Sequence, residues 1–203
     1  MKFTTLFRHF SVGISFALVY ATHLNAEIEK VSVKWTPYQC DAGCVQNLDR
    51  QFRQIAGVAD VTINMSAAQA EIRWRPNIPF SYTAIDTAMR MIGPSIDNRG
   101  LRLKVRGTIQ HDARSVTLIS TGDNSRFILL GPIVPSPTHY VEEESVWSHR
   151  PTPEARNEYL AAEDADQTVT VEGPLFQPEQ APPMYMIVEK KQFASSKSTG
   201  PED

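Results

Sequence analysis

The sequence predicts an α+β protein built from two units, a βαββαβ unit followed by a small β-barrel with one inserted helix. Three observations carry that expectation. Short segments with a hydrophobic period of two alternate with two amphipathic helical stretches in the first half. The second half is dominated by strand-like segments separated by turn and proline-rich stretches. Charge also breaks near Gly107: residues 27–107 hold 11 Lys/Arg against 8 Asp/Glu, whereas 108–203 hold 7 against 15. A chain of 203 residues can bury one large core or two small ones. Its two cysteines cannot hold together a disulfide-dense scaffold, so hydrophobic packing must carry stability. A net charge of −3 excludes a globally polyanion-binding protein.

Residues 1–26 read as an export signal. Lys2 and Arg8 precede the uncharged stretch Phe10–Tyr20, and small residues end the segment at Ala26. The apolar core falls short of the ~20 residues that span a bilayer. The expectation is therefore a secreted or periplasmic mature chain, in an oxidising space, with no stable membrane insertion after cleavage.

Val31, Val33 and Trp35 alternate with polar residues as a half-buried strand does, and Pro37 ends the segment. Cys44, Leu48, Phe52 and Ile55 recur on one helical face, with Gly57 as the expected cap. Val61, Ile63 and Met65 alternate again, as do Ala70, Ile72 and Trp74. Ser81 offers an N-cap to a helix carrying Ile85, Ala88, Met89 and Ile92, which Gly93-Pro94 stops. Leu101, Leu103 and Val105 then alternate with Arg102, Lys104 and Arg106.

That order, over residues 27–107, is the ferredoxin-like arrangement. Two cysteines at a strand-to-helix loop, then Ile55-Ala-Gly-Val58, Ala70-Glu-Ile-Arg-Trp-Arg-Pro76 and Phe80–Ala88, make this half resemble the heavy-metal-associated domain. The resemblance implies a non-enzymatic protein that captures or relays Cu(I) or another soft metal, with Cys40 and Cys44 as ligands and a metal donor or acceptor protein as partner. Two thiolates suit a soft ion. The chain departs from the family's Met-x-Cys-x-x-Cys: it reads Tyr38-Gln-Cys40-Asp-Ala-Gly-Cys44, with three residues between the cysteines. The same pair has a second reading as a disulfide, because α-carbons one helical turn apart lie ~6 Å from each other, within bonding range. Inert thiols are a third.

On the strand face opposite the apolar residues the alternation places Lys30, Lys34, Arg73, Arg75, Arg102, Lys104 and Arg106. Two expectations compete for this face, an ordinary solvated surface and a docking site for an acidic partner. Trp35 and Trp74 fall with the buried set. The face therefore lacks the stacking aromatics of RNA-binding sheets, and no nucleic-acid partner is expected.

Residues 108–193 resemble an OB-fold, with 194–203 as a polar tail. Val116–Ser120 and Ser125–Gly131 read as a hairpin, and Thr152-Pro153-Glu154 opens a helix running to about Ala162. Thr168–Glu172 and Met184–Val188 complete the set if the strand from about Leu101 bends at Gly107 and serves both units. His139, Glu142, Glu143, Glu144 and His149 lie in the long connection; scattered through a proline-rich stretch, they read as a solvated loop rather than a metal site. The competing functional expectation is a protein-interaction module whose cysteines form a disulfide and whose basic face or barrel docks a partner.

Overall fold

The computed structural model describes residues 28–132 and 146–194. The expected leader 1–26, the expected tail 194–203 apart from Ala194, and the cluster His139, Glu142, Glu143 and Glu144 lie outside the described residues. Within them the chain is a mixed α+β protein with a closed five-strand barrel region and additional strands.

The first half comprises β1 (Ile28–Trp35), α1 (Ala42–Gln54), β2 (Val58–Asn64), β3 (Gln69–Trp74) and α2 (Tyr82–Ile92), and then enters β4 (Ile96–His111). The strand order β2-β3-β1-β4 is antiparallel throughout. This is the order a βαββαβ chain reaches when both helices pack on one face. The helices begin where sequence chemistry says they should. Asp41 accepts the Cys44 amide at 2.8 Å, and Ser81 accepts the Ala84 amide at 3.2 Å. Their buried sides, Leu48 and Phe52 on α1 and Ile85, Ala88 and Met89 on α2, join Val31, Val33, Trp35, Ile72 and Trp74 in the core. Gly57 works differently from the expected cap. A side chain there would collide with the Trp74 indole at 2.1 Å, so the glycine lets that ring lie on the backbone. Met65 is not a strand residue either. β2 ends at Asn64, whose side chain accepts from Ala67 N at 3.1 Å, and the turn leaves Met65 51% exposed.

The second half adds β5 (Val116–Ser120), β6 (Arg126–Leu130), α3 (Pro153–Asp164), β7 (Val169–Phe176), β8 (Met184–Ile187) and β9 (Lys190–Phe193). β4, β5, β6, β8 and β7 form a ring that closes through β4–β7 pairing, with β6 and β8 parallel. β9 was not expected from the sequence; it pairs outside the ring with β7.

β4 is the hinge of the architecture. Along one edge it pairs with β1 from Ile96 to Val105 and then with β5 from Gly107 to His111. Its other edge carries β7 from Arg102 to Gly107. At Gly107 the two partners close in, and a β-carbon would sit 2.1 Å from the Ile119 carbonyl oxygen. Only glycine allows the ladders to pass this closely. The core continues across this point: Phe80, from the β3–α2 connection, packs in a tilted arrangement against Trp74, with ring centroids 5.2 Å apart, and against Phe127 of β6 at 6.4 Å. Its amide donates to Ser125 Oγ at 3.1 Å.

Candidate functional site

The loop from β1 to α1 brings the two cysteines together as a disulfide, with α-carbons 5.2 Å apart. Cys40 is buried, and Cys44 occupies the first turn of α1. The bond consumes both sulfurs, so neither is available as a thiolate ligand. This overturns the expectation of Cu(I) or other soft-metal capture at Cys40 and Cys44, and with it the metal-relay function. Among the described residues no group of three or more His, Cys, Asp or Glu side chains could hold a metal ion. Tyr38, where the resembled family has methionine, points into solvent at 88% exposure. His149 is not a solvated loop residue. It is fully buried, with its ring 4.8 Å from Phe176 and Nδ1 3.1 Å from the Gly131 carbonyl oxygen.

The sheet face away from α1 and α2 is where the chain gathers functional groups. A groove of about 460 Å³ runs along β1 and β4, with Lys30, Ser32, Lys34 and Gln69 on one side and Arg102 and Lys104 on the other. Register explains the gathering: Lys30 faces Lys104 and Ser32 faces Arg102 across β1–β4, while Lys34 faces Gln69 across β1–β3. Three of the six docking residues expected from sequence therefore share one site, Lys34, Arg102 and Lys104. Arg73 lies in a separate depression of about 260 Å³ with Glu29, Asp60 and Glu71. Arg106 stands further along β4 opposite Thr170 of the barrel, and Arg75 follows the end of β3 beside Gly57, outside the groove.

Much of this basic charge is already matched. Lys30 pairs with Glu71 at 2.5 Å and Lys104 with Glu29 at 2.5 Å. Both pairs are substantially exposed and contribute little to stability, so their partners can exchange. Arg102 is different. It grips Glu189, between β8 and β9, with two N–H groups, and this raises the pKa of Arg102 while holding the Glu189 carboxyl below its ordinary range. The fork ties the shared strand to the β8–β9 turn. Lys34 has no ion-pair partner among the described residues.

One wall of the groove was invisible in the sequence. Between the paired positions Trp35/Ile96 and Val33/Leu101, β1 spends one residue, Lys34, where β4 spends four, Asp97 to Gly100. The excursion leaves the ladder beside Lys34, with Arg99 in the left-handed region at φ +56°. It is anchored by Thr36 Oγ1 donating to Asp97 Oδ1 at 2.8 Å. At Gly100 a side chain would strike the Lys34 carbonyl oxygen at 2.6 Å. An extra-residue departure of this kind re-aims side chains and interrupts pairing. Here it puts Asn98 and Arg99 at the rim of the basic groove. The turn-like composition Asp-Asn-Arg-Gly was the available signal.

These features define a class, a mixed α+β protein with a closed barrel region, a covalently closed loop and a polar groove on the open sheet face. Comparison of the chain with protein-family models, with curated proteins and with solved structures gives no match. The heavy-metal-associated resemblance accordingly has the order of elements behind it and no relative, and its defining ligand pair is oxidised. No helix among the described residues is long and apolar enough to cross a membrane.

Proposed function

We propose that this chain is an exported, non-enzymatic protein-interaction module. In this reading a ferredoxin-like unit is joined to an OB-like barrel, the Cys40–Cys44 disulfide is structural, and the groove between β1 and β4 docks an acidic segment of a partner protein. The observation that carries the reading is the groove around Lys34. It holds an uncommitted ammonium group, two lysines in exchangeable surface pairs, and polar side chains from Ser32, Gln69 and Asn98, while its lining carboxylates Asp97 and Glu172 are engaged by the Thr36 hydroxyl and by Lys190. Carboxylates of an incoming segment can take over Lys30 and Lys104 while gaining Lys34, which favours an acidic peptide electrostatically. The described residues lining the groove include no aromatic, so they offer a nucleic acid no stacking platform. Export rests on the leader-type pattern of residues 1–26.

An acidic ten-residue peptide of alternating glutamate and serine is the direct probe. Titrated into isotopically labelled protein, it should shift the amides of Ser32, Lys34, Gln69 and Asn98 saturably. Binding should weaken at least tenfold in Lys34→Glu and fall with added salt, as exposed charge interactions do. Shifts confined to other surfaces, or an unchanged affinity in Lys34→Glu, would sink the proposal.

A further inference from the structure

The barrel wears apolar residues on its outside as well as within. Phe127, Leu129 and Met186 point into the main core. Ile128, Leu130, Tyr185, Ile187 and Phe176 belong to a separate cluster, to which Val146 is added from the segment following the long connection. Alternation along β6 and β8 puts these two sets on opposite faces of the barrel wall. Part of the outer set is covered. His149 packs its ring on Phe176, accepts the Gly131 amide through its carbonyl at 2.7 Å, and points Nδ1 back at the Gly131 carbonyl oxygen. These contacts fix the segment 146–151 as a wall.

Between that wall and the β4–β5 turn a cavity of about 290 Å³ remains. Its floor is Ile128, Leu130, Val146 and Tyr185; its rim carries Arg114 and Arg156, with Arg150 beside them. No carboxylate is among the described lining residues. Asp112, two residues before Arg114, is spent on its own turn: its carboxylate accepts the amides of Arg114 and Ser115 at 2.6 and 2.7 Å and the Ser115 hydroxyl at 2.9 Å. Arg156 is held over the rim by donating one N–H to the Asp112 carbonyl oxygen at 2.8 Å, which orients its guanidinium. The Arg114 guanidinium is exposed, with no partner among the described residues. An apolar hollow with guanidinium groups at its mouth is built for a molecule with an apolar body and an anionic end.

We infer that this cavity is a binding site for a small amphipathic carboxylate, its apolar body on Ile128, Leu130 and Tyr185 and its carboxylate on Arg114 and Arg156. The site lies on the barrel, remote in sequence and strand from the Lys34 groove, and stands or falls independently of it.

Sodium octanoate is the probe, with octanol and octylammonium chloride as matched neutral and cationic chains. Calorimetry should show saturable octanoate binding, and methyl spectra of the full chain should shift at Ile128, Leu130 and Val146. Octylammonium should leave both unchanged, and octanol should bind at least tenfold more weakly than octanoate. Arg114→Glu, a change at an exposed side chain, should weaken octanoate at least tenfold with the methyl spectrum otherwise native. Ile128→Asn should remove binding through the floor instead of the rim. Equal binding of all three chains would overturn the assignment, as would octanoate shifts at other methyls or full affinity in a natively folded Arg114→Glu protein.

Discussion

At the scale of single residues, the cysteines show which part of a site a sequence can carry. Their proximity was legible, because a spacing of four at a helix start places two sulfurs within reach of each other. Their chemical state was not, since the same geometry serves a thiolate pair and a disulfide. Oxidation settles it for the bond, and the bond closes a loop of only a few residues. On chain-entropy grounds such a loop contributes about 2 kcal/mol. Cys40→Ala with Cys44→Ala should therefore lower the unfolding free energy by about that amount, measured by denaturant titration, and reductant should reproduce the loss in the parent chain. A stability unchanged by both treatments would show the bond to be dispensable. The basic residues teach the same lesson. Alternation sets Lys34, Arg73, Arg102 and Lys104 opposite their neighbours Val33, Ile72 and Leu103, which are buried. Which of them share a groove depends on strand register, and which are neutralised depends on distant acids such as Glu71 and Glu189. Neither is written in local periodicity.

Elements were read best where one physical signal dominated. α2 is bounded by a serine cap and by Gly93 at φ +121°, and its apolar face follows the helical period, so both ends were foreseeable. The excursion at Asp97–Gly100 and the strand β9 were not. Whether a turn-like tetrapeptide leaves the ladder is decided by its pairing partner, β1, more than 60 positions away in sequence. β9 is short and polar outside Phe193, with no alternation to announce it. α3 combines both situations. Its Thr152 cap and Pro153 were plain, whereas the role of Tyr159 emerges only in three dimensions. That ring is buried, lies 6.3 Å from Phe193 and has the Lys191 ammonium 5.2 Å from its centroid. Burial pushes its phenol from an ordinary 10.0 up to about 12, with the nearby Glu158 charge acting in the same direction. The folded state thus prefers the neutral phenol. A raised folded pKa means this contribution is intact below pH 10 and is lost as pH climbs towards 12. Thermal unfolding followed across that alkaline window should show a steep loss of stability that Tyr159→Phe flattens. A parallel loss in both proteins would assign the effect to other groups.

For the molecule as a whole, the decisive feature is that β4 belongs to both halves. A boundary near Gly107, where the charge balance changes sign, falls inside a continuous 16-residue strand. β1 pairs with β4 as far as Val105, while β7 already occupies its opposite edge from Arg102. Phe80 packs simultaneously on Trp74 and Phe127, and buried residues of both halves share one main cluster. Cutting the chain at 107 would strip β4 of its β5 pairing and expose the Phe127 side of Phe80 to water. The two charge regimes therefore share one strand and one main buried cluster, with the Arg102–Glu189 fork as an added tie. Such a unit should melt in a single step, and the step should be sensitive at the crossing point. Gly107→Ala pushes a methyl group into the Ile119 carbonyl, an overpacking that costs about 1–3 kcal/mol. The expected outcome is one transition, lowered equally whether it is followed at amides of Ile72 and Ile85 or at amides of Leu118 and Met186. If the substitution displaced only the barrel signals and left the first-half signals at their parent midpoint, the strand would be a linker between independent domains, and cooperativity through β4 would be wrong.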